Sequence, residues 1–270
     1  MNYRSMGFNE LKTLSRQEKI AARDAGNRIA PVILGQEYEK ENYISEAVLN
    51  FEIGLERGEA FAAKKLGDIY KDIDVKRAAE YYNKAFSMGL DSAVISLAIL
   101  YTIPEYNMLN YELAKKYCME YLNRTYFIGN CKDESIIISA CSVIAKTLLH
   151  DEVSEEAMTE ASKYIKIADS FGGDRFTNSL LAQFYTNGLG THFEKNPKKA
   201  IKYYEKNYDY YEIGTIYETE YNDINNALYY FRKAYKEQNS EKGLSAAYKI
   251  AAMNVFDDFK GKVDQNINEA

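Results

Sequence analysis

Residues 60–85 read AFAAKKLGDIYKDIDVKRAAEYYNKA, and the spacing within this stretch decides the fold. Its first half sets Ala62, Leu66, Gly67 and Tyr70 at positions that fall on one side of an α-helix at about 100° per residue, whereas a strand would scatter them over both faces. Its second half sets Ala78, Tyr82 and Ala85 at 0, +4 and +7, again a single helical face. The stretch is therefore two helices joined by a short turn, each with one side to bury.

Both phrases recur. The first, which marks a helix termed A, returns as Ala30/Leu34/Gly35/Tyr38, Ala93/Leu97/Ala98/Tyr101 and Ala140/Ile144/Ala145/Leu148. It loosens at Leu181/Ala182/Tyr185 and Ile213/Gly214/Tyr217, where Thr177 and Asp209 stand at the first small position. The second, which marks a helix termed B, returns as Ala47/Phe51/Gly54, Ala114/Cys118/Tyr121, Ala161/Ile165/Ala168, Ala200/Tyr204/Asn207 and Ala227/Phe231/Ala234. The anchors Leu34, Leu66, Leu97, Ile144, Leu181 and Ile213 lie 32, 31, 47, 37 and 32 residues apart, the range of a helix-turn-helix repeat. Gly inside a helix costs about 1 kcal/mol relative to Ala, so its return at one register implies a packing demand. Gly67 and Ala98 on A are expected to face Ala78 and Ala114 on B and to let the two axes approach closely.

The pattern resembles the Sel-one-like repeat (SLR) branch of the tetratricopeptide repeat (TPR) superfamily. Ala60-Phe61-Ala62, Leu66-Gly67-Asp68-Ile69-Tyr70 and Arg77-Ala78-Ala79-Glu80-Tyr81-Tyr82-Asn83-Lys84-Ala85 match its phrases, as do LAQFYTNGLG at 181–190 and PKKAIKYYEK at 197–206. The resemblance covers about residues 28–254. It implies an all-α, right-handed α-solenoid of about six helix-turn-helix repeats with terminal capping helices. The expected organisation is an N-terminal capping segment at 1–27, repeats over 28–256, and a C-terminal tail at 257–270 that frays once the apolar periodicity stops. Ser15 and Glu18 form a capping box that opens a short helix in the N-terminal segment, with Gly26 to close it. Leu244–Val255 is expected to be a last, unpaired A helix. The long interval between Leu97 and Ile144 is ascribed to an insertion at about 123–133, whose Tyr126, Phe127 and Ile128 either tuck back onto the solenoid, the favoured reading, or form a contact patch on the loop.

Composition fits this architecture. The chain has 270 residues, 46% of them hydrophobic, with only 3 prolines and 15 glycines, which suits a chain of helices large enough to bury a core. Its net charge is −6 and its basic residues are spread along the sequence, which argues against a nucleic-acid or anionic-membrane surface. Residues 1–30 lack the apolar core of a signal peptide, and the longest apolar stretch, Ile136–Ala145, contains two serines and is too short to span a bilayer. Cys118, Cys131 and Cys141 show no CxxC spacing, and they lack the cysteine pairs that the family's secreted members carry within each unit. Reduced thiols and a cytoplasmic location are expected.

Chemistry-bearing patterns are sparse. His150 and His192 are the only histidines, and neither has ligand or triad spacing with other suitable groups. Gly188-Leu189-Gly190 follows a helix and lacks a third glycine, so it is expected to be the turn between A and B helices. No HExxH, GxSxG or Walker pattern occurs. No catalytic residue, cofactor or metal is therefore assigned. Many of the 25 tyrosines, Tyr38, Tyr70, Tyr82, Tyr101, Tyr185, Tyr204 and Tyr217 among them, occupy packing registers instead of a base-stacking platform.

In the family, A helices line the concave surface, and partners lie in it. A helical wheel centred on the aliphatic anchor leaves positions −2, −1, +2 and +5 opposite the packing side. These are Val32, Gln36 and Glu39, then Lys64, Asp68 and Lys71, then Ile95 and Ile99, then Ser142 and Lys146. Ser179 and Gln183 follow, then Tyr211, Thr215 and Glu218, with Tyr248 on the closing helix. The expected function is a non-catalytic protein-binding scaffold or adaptor of bacterial style. Its sharper form is an immunity protein that neutralises a toxin by binding it, with a basic toxin domain as partner. The alternatives are a regulatory binder of a peptide signal or nucleic acid and, third, an enzyme.

Overall fold

The computed structural model describes residues 2–130, 133–150, 154–188, 192–237 and 241–253. Among them the chain is all helical, with no β-strand. Its contacts divide it into two compact units, Met1–Glu152 and Val153–Ala270. The first contains α1 (Phe8–Thr13), α2 (Arg16–Asp24), α3 (Ala30–Lys40), α4 (Ile44–Glu56), α5 (Ala60–Tyr70), α6 (Val75–Ser87), α7 (Ser92–Leu100), α8 (Tyr111–Arg124) and α9 (Glu134–Leu148), with 3-10 turns at Tyr3–Ser5 and Pro104–Tyr106. The second contains α10 (Glu155–Ser170), α11 (Arg175–Asn187), α12 (Pro197–Asn207), α13 (Tyr210–Thr219), α14 (Ile224–Glu237) and α15 (residues 241–253). Helices α3, α5, α7, α9, α11, α13 and α15 carry the A phrase or its register, and α4, α6, α8, α10, α12 and α14 the B phrase.

Within the units the A–B pairs α3–α4, α5–α6 and α13–α14 pack face to face through one recurring device. A Cβ added at Gly67 would lie 2.6 Å from the ring of Tyr82; at Gly35 it would lie 2.7 Å from Phe51, and at Gly214 2.7 Å from Phe231. Non-bonded carbons settle at about 3.5–4.0 Å, so no side chain fits at these three sites. The small residue on A is thus a seat for the aromatic ring of B. This corrects the expected facing of Gly67 and Ala78: Ala78 is buried, but the ring of Tyr82 is what lies over the glycine. In α7 and α8 the same registers hold Ala98 and Cys118, both fully buried.

A second device uses the tyrosine that closes the A phrase. Tyr70 stacks on Tyr81 with ring centres 5.6 Å apart, Tyr101 on Tyr117 at 6.2 Å, Tyr185 on Tyr203 at 5.9 Å and Tyr217 on Tyr230 at 5.5 Å. Such pairs add about 0.5–1.5 kcal/mol each beyond the area they bury. The Tyr81-Tyr82 doublet of α6 therefore has two jobs, one ring filling the seat and its neighbour stacking on the A-helix tyrosine; in α14 Phe231 and Tyr230 divide the same two jobs.

The N-terminal segment docks on α3. Ser15 accepts from the Glu18 backbone N–H at 3.3 Å while Glu18 Oε2 accepts from the Ser15 N–H at 2.9 Å, which is the expected capping box at the start of α2. Buried Asn27 then ties the segment down. Its Nδ2 donates to the carbonyls of Tyr3 at 2.7 Å and Met6 at 3.0 Å, and its Oδ1 accepts from the N–H groups of Ile29 and Ala30, both at 2.9 Å. Leu11, Ala22, Ala30 and Ile33 close an apolar cluster beneath it.

Three expectations need correction or restriction. The insertion does not tuck back: Phe127 is 52% and Ile128 67% exposed, and Tyr126 and Phe127 meet edge to face at 5.2 Å. Helix α8 runs to Arg124, so the long interval is shared between the 101–110 and 125–133 connections. Helix α15 is present through residue 253, while Val255, the 257–270 tail, Cys131 and Leu189-Gly190 lie outside the described residues. Cys118 and Cys141 are buried, and burial pushes the Cys118 thiol well above its ordinary range. Among the described residues, no helix is long and apolar enough to cross a membrane.

Candidate functional site

In the first unit the outward face of the A helices is partly open and partly occupied by the chain itself. Gln36 on α3 borders a cavity of about 350 Å³ that it lines with Phe8, Ile29, Val32, Glu59 and Phe61. Val32, expected to be open, is buried against Gly54, where an added Cβ would meet its Cγ2 at 2.9 Å; it forms the cavity floor. Phe8 and Phe61 form apolar walls that stay 46% and 36% exposed. Glu59 at the rim is paired with Arg28 at 2.5 Å, which leaves the site without a lone carboxylate.

Neighbouring candidates are engaged. Asp68 pairs with Lys64 at 3.0 Å and accepts from the Tyr82 hydroxyl at 2.8 Å, so it anchors the seated ring as well as facing outward. Glu39 pairs with Lys65 at 2.8 Å and so ties α3 to α5. Ile99 is exposed and Ile95 half-buried. Among the described residues, Lys71 and Lys146 have no ion-pair or hydrogen-bond partner. Ser142 is buried, which removes it from any contact surface. The wheel misplaces it because α9 is enclosed all round across Cys141–Ala145, as a helix apolar on every side must be.

In the second unit, Gln183 and Tyr248 are exposed and Ser179 is half-buried. Glu218 pairs with Lys249 at 2.7 Å, linking α13 to α15. Thr215 donates to the Tyr211 carbonyl at 3.0 Å. Tyr211 departs from expectation: its ring lies 5.6 Å from that of Phe231 and packs on the α13–α14 core, because a residue two before the anchor still borders the seat.

The residues that sequence reasoning missed are Phe8, Ile29, Glu59 and Phe61. Phe61 did carry a signal, since it fills the variable place in the small-x-small start of the phrase, where an aromatic side chain points away from the seat. Phe8 carried none, because its position over α3 depends on how the N-terminal segment docks. His150 Nδ1 lies 2.5 Å from the carbonyl of Thr147, at the end of α9, and His192 Nε2 lies 2.8 Å from Thr159 Oγ1 on α10. Among the described residues, no three His, Cys, Asp or Glu side chains are grouped to hold a metal ion.

No family model and no curated protein matches the chain. Solved structures do match. One is a protective antigen of uropathogenic Escherichia coli strains that displays an SLR fold, with TM-score 0.67 and 18% identity over 92% of this chain. This chain spans 55% of the length of that protein. Another is a Sel1 repeat protein from Oxalobacter formigenes, with TM-score 0.56 and 19% identity over 77% of this chain and 85% of that one. The fold is that of an SLR/TPR-like helical repeat protein.

Proposed function

We propose that the protein is a non-catalytic scaffold that binds another protein through the outward face of its A helices, with the Phe8–Phe61 cavity taking an apolar side chain of the partner. The observation that carries this reading is the cavity itself. Two large aromatic side chains stand exposed around a buried floor, beside Gln36 on α3 and within a turn of Lys64 on α5. Exposed apolar surface rimmed by polar groups marks interaction sites, and aromatic anchors in pockets carry most of the binding energy at such sites. The repeat fold supports the same reading, since stacked repeats build extended binding surfaces.

The sharper form of the proposal is a cytoplasmic immunity protein that holds a basic toxin domain. It is supported by the net charge of −6, the buried thiols and the shortage of catalytic groups. Peptides selected from a displayed library against the whole protein test the site. Phe61→Ser and Gln36→Ala should weaken the selected peptides about tenfold or more, or about 1.4 kcal/mol, while Lys163→Glu on α10 leaves them unchanged. Equal affinity for all three variants would place the partner elsewhere. Copurification of a basic toxin domain from native cells, together with protection of growth, tests the sharper form.

A further inference from the structure

The even spread of lysines along the sequence conceals a basic cleft in the second unit. Lys198, Lys199, Ile201, Lys202 and Glu205 lie along one side of α12 and face Tyr217, at the end of α13, and Tyr221 just beyond it. The cleft between them measures about 700 Å³, within the range of a site for a few side chains. Ile201 and the two tyrosine rings give it an apolar wall. That wall is held in place, since Tyr217 stacks on Tyr230 at 5.5 Å and meets Tyr221 at 5.5 Å.

The charges around the cleft are unequally committed. Glu205 accepts from the Tyr230 hydroxyl at 3.2 Å, and Lys195 and Glu220 neutralise each other at 2.8 Å. Lys199 sits 4.9 Å over the ring of Tyr185. Lys198 and Lys202 are exposed, one turn apart on α12, and among the described residues neither has an ion-pair or hydrogen-bond partner. A pair of uncommitted cations beside an apolar wall is thus built into a chain whose net charge is −6.

We propose that this cleft docks an acidic peptide segment of a partner protein. Lys198 and Lys202 meet two carboxylates, and Tyr217 and Tyr221 take an apolar side chain that follows them. Side chains four apart on a helix have Cβ atoms about 5–6 Å apart, and alternate side chains of an extended peptide are about 6.5–7 Å apart on one face, so acidic residues at alternate positions match the two ammonium groups. The apolar side chain falls two positions further on, again on that face. Nucleic acid fits less well. One face of Tyr217 is already covered by Tyr230, which takes it from a base, and a polyanion gains its affinity from many phosphate contacts that an acidic chain repels. The site uses α12 and the end of α13, so it stands or falls independently of the Phe8–Phe61 cavity.

The test is fluorescence anisotropy of the whole protein with a fluorescein-labelled synthetic peptide, Gly-Asp-Ser-Asp-Ser-Phe-Gly. Saturable binding that weakens with salt is expected. The double variant Lys198→Gln/Lys202→Gln should weaken it about tenfold, Tyr221→Ala about threefold, and Lys198→Arg/Lys202→Arg should keep it. Lys163→Gln on α10 should change nothing, and the peptide with asparagine in place of both aspartates should not bind. Circular dichroism of each variant confirms that the exposed substitutions leave the fold intact. The proposal fails if the glutamine double variant binds as well as the parent, if the peptide does not bind, or if a single-stranded oligonucleotide of equal charge binds more tightly than the peptide.

Discussion

At the scale of single residues, the seats on the A helices are the most demanding positions in the chain. Gly67→Leu places four carbons where even a single added one would lie 2.6 Å from the Tyr82 ring, and overpacking of this kind costs about 1–3 kcal/mol. A lowered urea midpoint with an unchanged m-value should record it, and an unchanged midpoint would mean that the ring can leave its seat. Tyr82→Phe probes the same contact from the other side. It keeps the ring but deletes the hydroxyl that donates to Asp68 at 2.8 Å, for a loss of about 1 kcal/mol, while Asp68 keeps its pair with Lys64. Recurrence of the phrase identified the seat in the sequence, but a helical wheel gives direction and not depth. It could not choose between Ala78 and Tyr82, which lie four residues apart on the same face of α6.

At the scale of elements, periodicity made the repeat helices legible because each must bury one stripe, and the apolar spacing records that stripe directly. What periodicity does not record is anything set by docking. Asn27 is one buried polar residue in a glycine-flanked turn, yet its side chain holds five hydrogen bonds between the N-terminal segment and the start of α3. The cavity wall at Phe8 exists only because of that docking. Phe127 and Ile128 fail in the opposite direction: an apolar pair in a connection implies burial only where a neighbour is within reach, and among the described residues none covers them. Asn27→Ala therefore makes an element-scale prediction. Leaving backbone groups unsatisfied costs about 1–3 kcal/mol, and the loss should fall on the docked segment first. Hydrogen exchange should quicken across α1 and α2 while α5 and α6 keep their protection. A uniform loss throughout the first unit would show that the cap and its repeats unfold together.

At the scale of the whole molecule, the tyrosines that pack both units set how stability responds to pH. Burial, reinforced by nearby carboxylates, raises the hydroxyls of Tyr82, Tyr203 and Tyr230, and that of Tyr230 is pushed from its ordinary 10.0 up to about 12. Burial raises Tyr101, Tyr117, Tyr204 and Tyr217 in the same direction. An unfolded chain begins to release these protons near pH 10, whereas the folded chain holds them further, so between the two values the unfolded state binds fewer protons. The stabilisation is present in full below pH 10 and is lost as the pH climbs through the folded values, because ionisation is favoured by unfolding. The hydrogen bonds to Asp68, Asp169 and Glu205 add to the effect, since a tyrosinate would face a carboxylate where a hydroxyl now donates. The acid side works through a few exposed cap bonds, with Glu18, Asp133 and Asp223 lowered by hydrogen bonds at helix starts. Melting temperature should accordingly stay level up to about pH 10 and then fall steeply, in step with tyrosinate absorbance. Tyr230→Phe should flatten part of that fall without altering the melt at neutral pH by more than about 1 kcal/mol, the net worth of one exposed hydroxyl bond. A protein whose tyrosines all ionise at their ordinary value, with no matching loss of helix, would show that the stacked and seated rings are open to water.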